Sequence, residues 1–297
     1  MSTLAPTMQP ASSLQRLVAR HPVAAFLVMT FTIYYAVAYA TILLPVLVRN
    51  DILPFNLAFY SALGHLFGSA LPAFLVTAAL HGGAGVRDLA RRCLHWRVGA
   101  RWYLVALLGL PIATALCASA LFGLAPLDTL VDHWSVLFTV VVPQLLILIV
   151  FYNFTEEIGW TGFLQDRLQA RHGPLKATAL VTLPFALWHL PDIMLEFGFT
   201  LAQLPLALGV VGLLGIGQLF GRVIMTWLYN STKRSVLLVG LFHAAFNATV
   251  AEVGFAGAFI PSHAAVEIAS GVVAVAAVLI IVVTHGRLAY QPNPPQA

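Results

Sequence analysis

Two adjacent glutamates, Glu156 and Glu157, close the apolar run "VLFTVVVPQLLILIVFY" in a chain where carboxylates are scarce. Further on, Phe185 and His189 stand four residues apart in "FALWHLP", and His243 and Asn247 four apart in "LFHAAFN". A spacing of four puts each pair on one face of a helix. Carboxylate, imidazole and amide together are the groups of a hydrolytic centre: a base to take a proton from water, and donors to hold an oxyanion. Neighbouring helical residues point about 100° apart, so only one glutamate is expected to aim at the histidines while the other braces a neighbouring helix or a backbone donor.

The elements that must carry these groups are membrane helices. Of 297 residues, 60% are hydrophobic, with only 15 Lys+Arg and 11 Asp+Glu, too little charge to cover a soluble surface of that size. Clean apolar runs able to cross about 30 Å of hydrocarbon are expected at 22–48, 55–80, 102–127 and 133–155, with four shorter ones at 177–191, 197–221, 235–251 and 268–284. The fold class predicted is therefore all-α, a polytopic bundle of about eight transmembrane helices. Lys and Arg cluster in alternate segments: Arg16 and Arg20; Arg87 to Arg101; Arg167, Arg171 and Lys176; Arg222, Lys233 and Arg234 flanking the sixth span; and Arg287. Arg49 alone falls on the other side, with Asp128, Asp132, Asp192, Glu196 and Glu252. That alternation predicts a multi-pass protein of the inner (plasma) membrane with both termini cytoplasmic.

Counting inward from the nearest cation at about 1.5 Å per helical residue puts Glu156 at roughly 16 Å, His189 at roughly 20 Å and His243 at roughly 14 Å. The polar groups of three helices thus meet at one level, and "TEEIGWTGFLQDRL" reads as a continuing helix. Two glutamates, two histidines and an asparagine converging there favour a reaction centre over isolated structural groups. His65 in the second span is read instead as a lone interhelical hydrogen-bonding group. Gly217 and Gly221, at GxxxG spacing, are read as a close helix contact. Cys93 and Cys117 receive no role, and the head "MSTLAPTMQPASS" and tail "AYQPNPPQA" are expected to be disordered ends. The first apolar run exceeds a signal-peptide core and should remain in the mature chain. The organisation expected is an N-terminal tail (1–20), helices one to three (21–135), a catalytic core of helices four to seven (136–250), and a last helix with its tail (251–297).

Over about residues 136–250 these motifs resemble the CAAX-type prenyl-protein proteases and bacteriocin-processing enzymes, the abortive-infection family of intramembrane proteases. Its EExxxR, FxxxH and HxxxN/D motifs stand here as Glu156–Thr161, Phe185–His189 and His243–Asn247. The resemblance implies an intramembrane endopeptidase with Glu156, Glu157, His189, His243 and Asn247 as catalytic residues and Phe185 and Trp160 against the substrate. One position departs: Thr161 replaces the motif's arginine, which would hold a carboxylate ionised, and Arg167 lies about three turns from Glu156, too far to substitute. Putting the arginine back with Thr161→Arg is expected to preserve or raise activity.

Two chemistries fit. In one, Glu156, His189 and His243 bind zinc with a position open for water. In the other, Glu156, assisted by His189, activates water without a metal while His243 and Asn247 hold the oxyanion. The expected partners are the lipid bilayer and a peptide or protein with a hydrophobic or lipidated segment beside the scissile bond, and no nucleic acid. The short loops and charge pattern look bacterial, which points to peptide maturation, bacteriocin immunity or membrane-protein processing. The competing reading is a non-enzymatic protein, an immunity factor or a proton or cation carrier.

Overall fold

Helix is the only regular structure among the described residues, because in hydrocarbon each backbone N–H and C=O must find its partner inside its own segment. The computed structural model describes residues 13–48, 57–196, 201–251, 254–260 and 265–292. Arg49, Glu252 and the outer parts of both tails, on which sequence readings rested, lie outside the described residues.

In chain order the helices are α1 (Ser13–Arg20), α2 (Pro22–Val48), α3 (Leu57–Gly68), α4 (Ala70–Cys93), α5 (Ala100–Phe122) and α6 (Ala125–Asp132). There follow α7 (Leu137–His172), α8 (Pro174–Trp188), α9 (Leu190–Glu196), α10 (Leu204–Ser231), α11 (Val236–Val250), α12 (Phe255–Phe259) and α13 (Ala265–Val283). Among the described residues seven helical stretches are long and apolar enough to cross a membrane, and Pro22–Ala38 is a shorter apolar helix. The chain is an all-α, multi-pass membrane bundle, as its composition predicts.

The side chains are sorted for lipid rather than for water. On α5 the inward stripe is Ala106, Leu110, Thr114 and Ala118, each four residues from the last, while Leu104, Leu108, Ile112 and Leu116 on the outer stripe are exposed. The same division runs along α13, with Ala265, Ala269, Val273 and Ala277 inside and Val275, Leu279 and Val282 outside. Small residues inside allow close helix approach, and the large apolar ones meet the acyl chains.

Three sequence readings change. The expected second span is two helices divided at Ser69, whose Oγ donates to the Glu156 carbonyl across to α7 (2.9 Å). Gly217 has nothing within 4 Å of where a Cβ would stand, and Gly221 only an ordinary contact, so the GxxxG stretch is not a close crossing. The close crossings are at Gly159, where a Cβ would lie 2.1 Å from Ser69 Oγ, and at Gly240, where it would lie 2.8 Å from Phe154 Cα. These two glycines press α4 and α11 against the glutamate segment of α7. The third change is Arg222: it lies inside α10, 3% exposed, not in the loop after it.

Candidate active site

Helix α7 continues through the glutamates, as expected, but its winding changes on either side of them. The six-residue α-helical segment Phe154–Gly159 lies between π-helical stretches Leu148–Asn153 and Trp160–Gln165. Such widened turns are concentrated at functional positions because they re-aim the side chains that follow.

Glu157 is wholly buried and fully engaged. The Arg222 guanidinium donates through Nη1 to both its oxygens (3.0 and 2.8 Å), His243 Nδ1 donates to Oε1 (2.8 Å), and the Thr161 hydroxyl donates to Oε2. The cation missing at position 161 is therefore present, carried by α10. In the sequence Arg222 reads as a charge flanking the sixth span, because the apolar run ends at Gly221, and Glu157 has no evident counter-ion. The only sequence signal was an arginine immediately after an apolar stretch, indistinguishable from a positive-inside flank. The guanidinium also lies over the Phe185 ring (4.4 Å to its centroid).

Glu156 is the contrasting carboxylate. It is 1% exposed, its Oε2 has no hydrogen-bond partner among the described residues, and its Oε1 lies 3.6 Å from His65 Nε2. His243 Nδ1 stands 4.0 Å from Glu156 Oε2, so His243 sits in the angle between the two glutamates and meets both. His65, isolated in the sequence, is brought by the fold to Glu156, with its ring against Tyr34, Tyr152 and Trp188. Tyr34 in turn donates to Asp192 (2.5 Å).

His189 is tied to its own helix. A carbonyl can only accept, so Nδ1–H donates to the Phe185 carbonyl (2.9 Å) and Nε2 of the neutral ring carries the lone pair. The bond from His243 Nδ1 to Glu157 fixes that ring in the same sense. Phe185 stands between the histidines, its centroid 4.8 Å from the His189 ring and 6.0 Å from that of His243. Phe185 and Trp160 are both buried, edge to face at 5.4 Å, in an aromatic layer under the histidines that Trp188 completes. Asn247 is half-buried one turn beyond His243. The structure thus links His65, Glu156, His243 and Glu157 by successive separations of no more than 4.0 Å, joins His189 to them through Phe185, and keeps Asn247 on the helix of His243.

For a metal, the donor chemistry and the placement disagree. Histidines whose Nδ1 is held by a carboxylate or carbonyl present Nε2 as ligands do, and Glu156 Oε2 has no competing partner. Yet among the described residues no three His, Cys, Asp or Glu side chains converge on a position that could hold an ion. As placed, Glu156, His189 and His243 do not fit a three-ligand zinc centre.

Residues 138–249, which contain all of these groups except His65 and Tyr34, match the family model described as Type II CAAX prenyl endopeptidase Rce1-like. CAAX prenyl protease 2 of Methanococcus maripaludis is 31% identical over 108 residues, which are 36% of this chain and 39% of that protein. The matched part therefore spans well under half of the relative's length. Both similarities agree with the CAAX-protease and bacteriocin-processing family.

Proposed function

We propose that this chain, with its CAAX prenyl protease-like segment at residues 138–249, is an intramembrane endopeptidase that cleaves a peptide bond beside a hydrophobic or lipidated segment. The observation that carries the reading is the inequality of the two glutamates. Glu157 is saturated by three donor groups, while Glu156 keeps a buried oxygen with no hydrogen-bond partner among the described residues, beside two imidazoles.

In this mechanism Glu156 accepts a proton from water as the water oxygen bonds to the scissile carbonyl carbon. The carbonyl oxygen becomes an oxyanion, held by the Asn247 amide and by His243 when its ring is protonated. Glu157 stabilises the protonated His243 as a carboxylate does in a catalytic triad, and Arg222 keeps Glu157 from competing for the proton. Collapse of the tetrahedral intermediate breaks the C–N bond as Glu156 returns its proton to the leaving amine. Phe185 holds His189 and His243 in register, with the His189 Nε2 lone pair available to the attacking water.

Substrate and membrane follow from location. The site lies inside helices, so the substrate must present its bond at that depth, which favours a chain with an apolar or lipid anchor. The basic ends of the helices support cytoplasmic termini, in a plasma membrane. A prenylated tail is the substrate class that the relative's name indicates, and other membrane-anchored peptides meet the same physical requirement.

Purified protein in proteoliposomes, offered a farnesylated peptide and an unlipidated control, should release product only from the lipidated one. Glu156→Gln should abolish that release. Ion flux without hydrolysis would replace this reading with a carrier. Zinc content near one per chain, with loss of turnover on chelation, would overturn the metal-free step.

A further inference from the structure

We propose that a second site, at the basic end of the bundle, binds a phosphate-bearing anion, the headgroup of an anionic phospholipid. A cavity of about 750 Å³ lies there between α4, the end of α7, the turn after α10 and residues 290–292. Five cations line it, Arg92, Arg167, Arg171, Lys233 and Arg234, against the carboxylates of Asp88 and Asp166.

Both carboxylates are already committed. Arg92 Nε donates to Asp88 (3.0 Å). Asp166 accepts from Arg234 through Nε (3.0 Å) and Nη2, with Arg92 Nη1 at 3.6 Å. Arg167 is fixed over the Phe163 ring (3.9 Å to its centroid) with no carboxylate partner among the described residues. Arg171 and Lys233 likewise have none there, so three cations remain uncompensated around one concavity.

The backbone gives a second, independent observation. Lys233 and Arg234 are consecutive non-glycine residues in the left-handed region, with φ of 54° and 65°. Each such residue carries a strain that persists only where the surroundings fix it, and such residues cluster at ligand sites. Here the strained turn delivers two cations to the rim of the same cavity. Its remaining wall includes Val23, Leu80 and Leu168, so charge and apolar surface meet as they do in a glycerophospholipid below its headgroup. Basic pockets between membrane helices at the cytoplasmic face take such headgroups. No group of this site belongs to the proposed hydrolytic centre, so the inference stands or falls apart from the protease reading.

The test is thermal unfolding in a neutral detergent at fixed ionic strength. The probes are dihexanoyl-phosphatidylglycerol, dihexanoyl-phosphatidylcholine and inorganic phosphate. Phosphatidylglycerol should raise Tm by about 5 °C at saturation, and phosphatidylcholine should not. Arg171→Gln/Lys233→Gln, both exposed positions, should remove most of that rise, with Tm in the absence of lipid nearly unchanged. Lys233→Gly should raise Tm without lipid, because the strain is relieved, and still lose part of the response. An equal rise with inorganic phosphate would support the site with free phosphate as its ligand. An equal rise with phosphatidylcholine, or a full phosphatidylglycerol response in the double variant, would overturn the proposal.

Discussion

The Arg222 guanidinium spans from α10 to α7 and donates through one nitrogen to both oxygens of Glu157, at 3.0 and 2.8 Å, with both side chains almost completely buried. Two charges removed from water in this way are costly singly and tolerable together. Arg222→Met should therefore destabilise by about 3–5 kcal/mol by leaving the buried Glu157 without its guanidinium. The double variant Arg222→Met/Glu157→Gln should recover much of that loss. Chemical unfolding of the four proteins in detergent measures the coupling, and additive losses would show that the pair is not coupled.

Because Glu157 already has its cation, Thr161→Arg changes meaning. The sequence alone predicts that it preserves or raises activity. In the folded chain it places a second guanidinium beside Arg222 around one carboxylate and removes the Thr161 hydroxyl bond. Lower stability and lower turnover are expected from the single change. Thr161→Arg in an Arg222→Met background should be more active than Arg222→Met alone.

Glu156→Gln should leave Tm close to the parent, since Oε2 has no hydrogen-bond partner to lose. Turnover of a lipidated peptide should fall about 10²- to 10⁴-fold, the usual worth of a general base. Unchanged cleavage by this variant would remove Glu156 from the mechanism.

His65→Ala tests a residue that the sequence does not single out as catalytic. Its Nε2 lies 3.6 Å from Glu156, so its loss should shift the pH profile of turnover more than it lowers Tm. A drop in Tm with an unchanged profile would return His65 to a packing role.

Gly159→Ala should prevent close approach of α4 and α7, because the added carbon meets both Ser69 Oγ (2.1 Å) and the Ser69 carbonyl (2.8 Å). Gly217→Ala meets nothing and should be neutral or slightly stabilising, since alanine is the better helix former. Melting curves of the two variants would expose an error in the helix register if their order were reversed.

Legible in the residues alone were the helical membrane class, the approximate spans and the continuation of α7 through the glutamates. Each of these follows from apolar run length or from the 3.6-residue period, which are local properties of the chain. The partners of those glutamates were decided only by tertiary structure. Arg222 is 65 residues from Glu157 and His65 is 91 before Glu156, so nothing local distinguishes them from a flanking charge and a structural histidine. The crossing points at Gly159 and Gly240, rather than at the GxxxG stretch, depend on which helix faces meet, and spacing within one helix carries no record of its neighbour. The unequal bonding of Glu156 and Glu157, both equally buried, also belongs to the fold. The two are identical in type and adjacent in sequence, and what separates them is whether a guanidinium from another helix arrives.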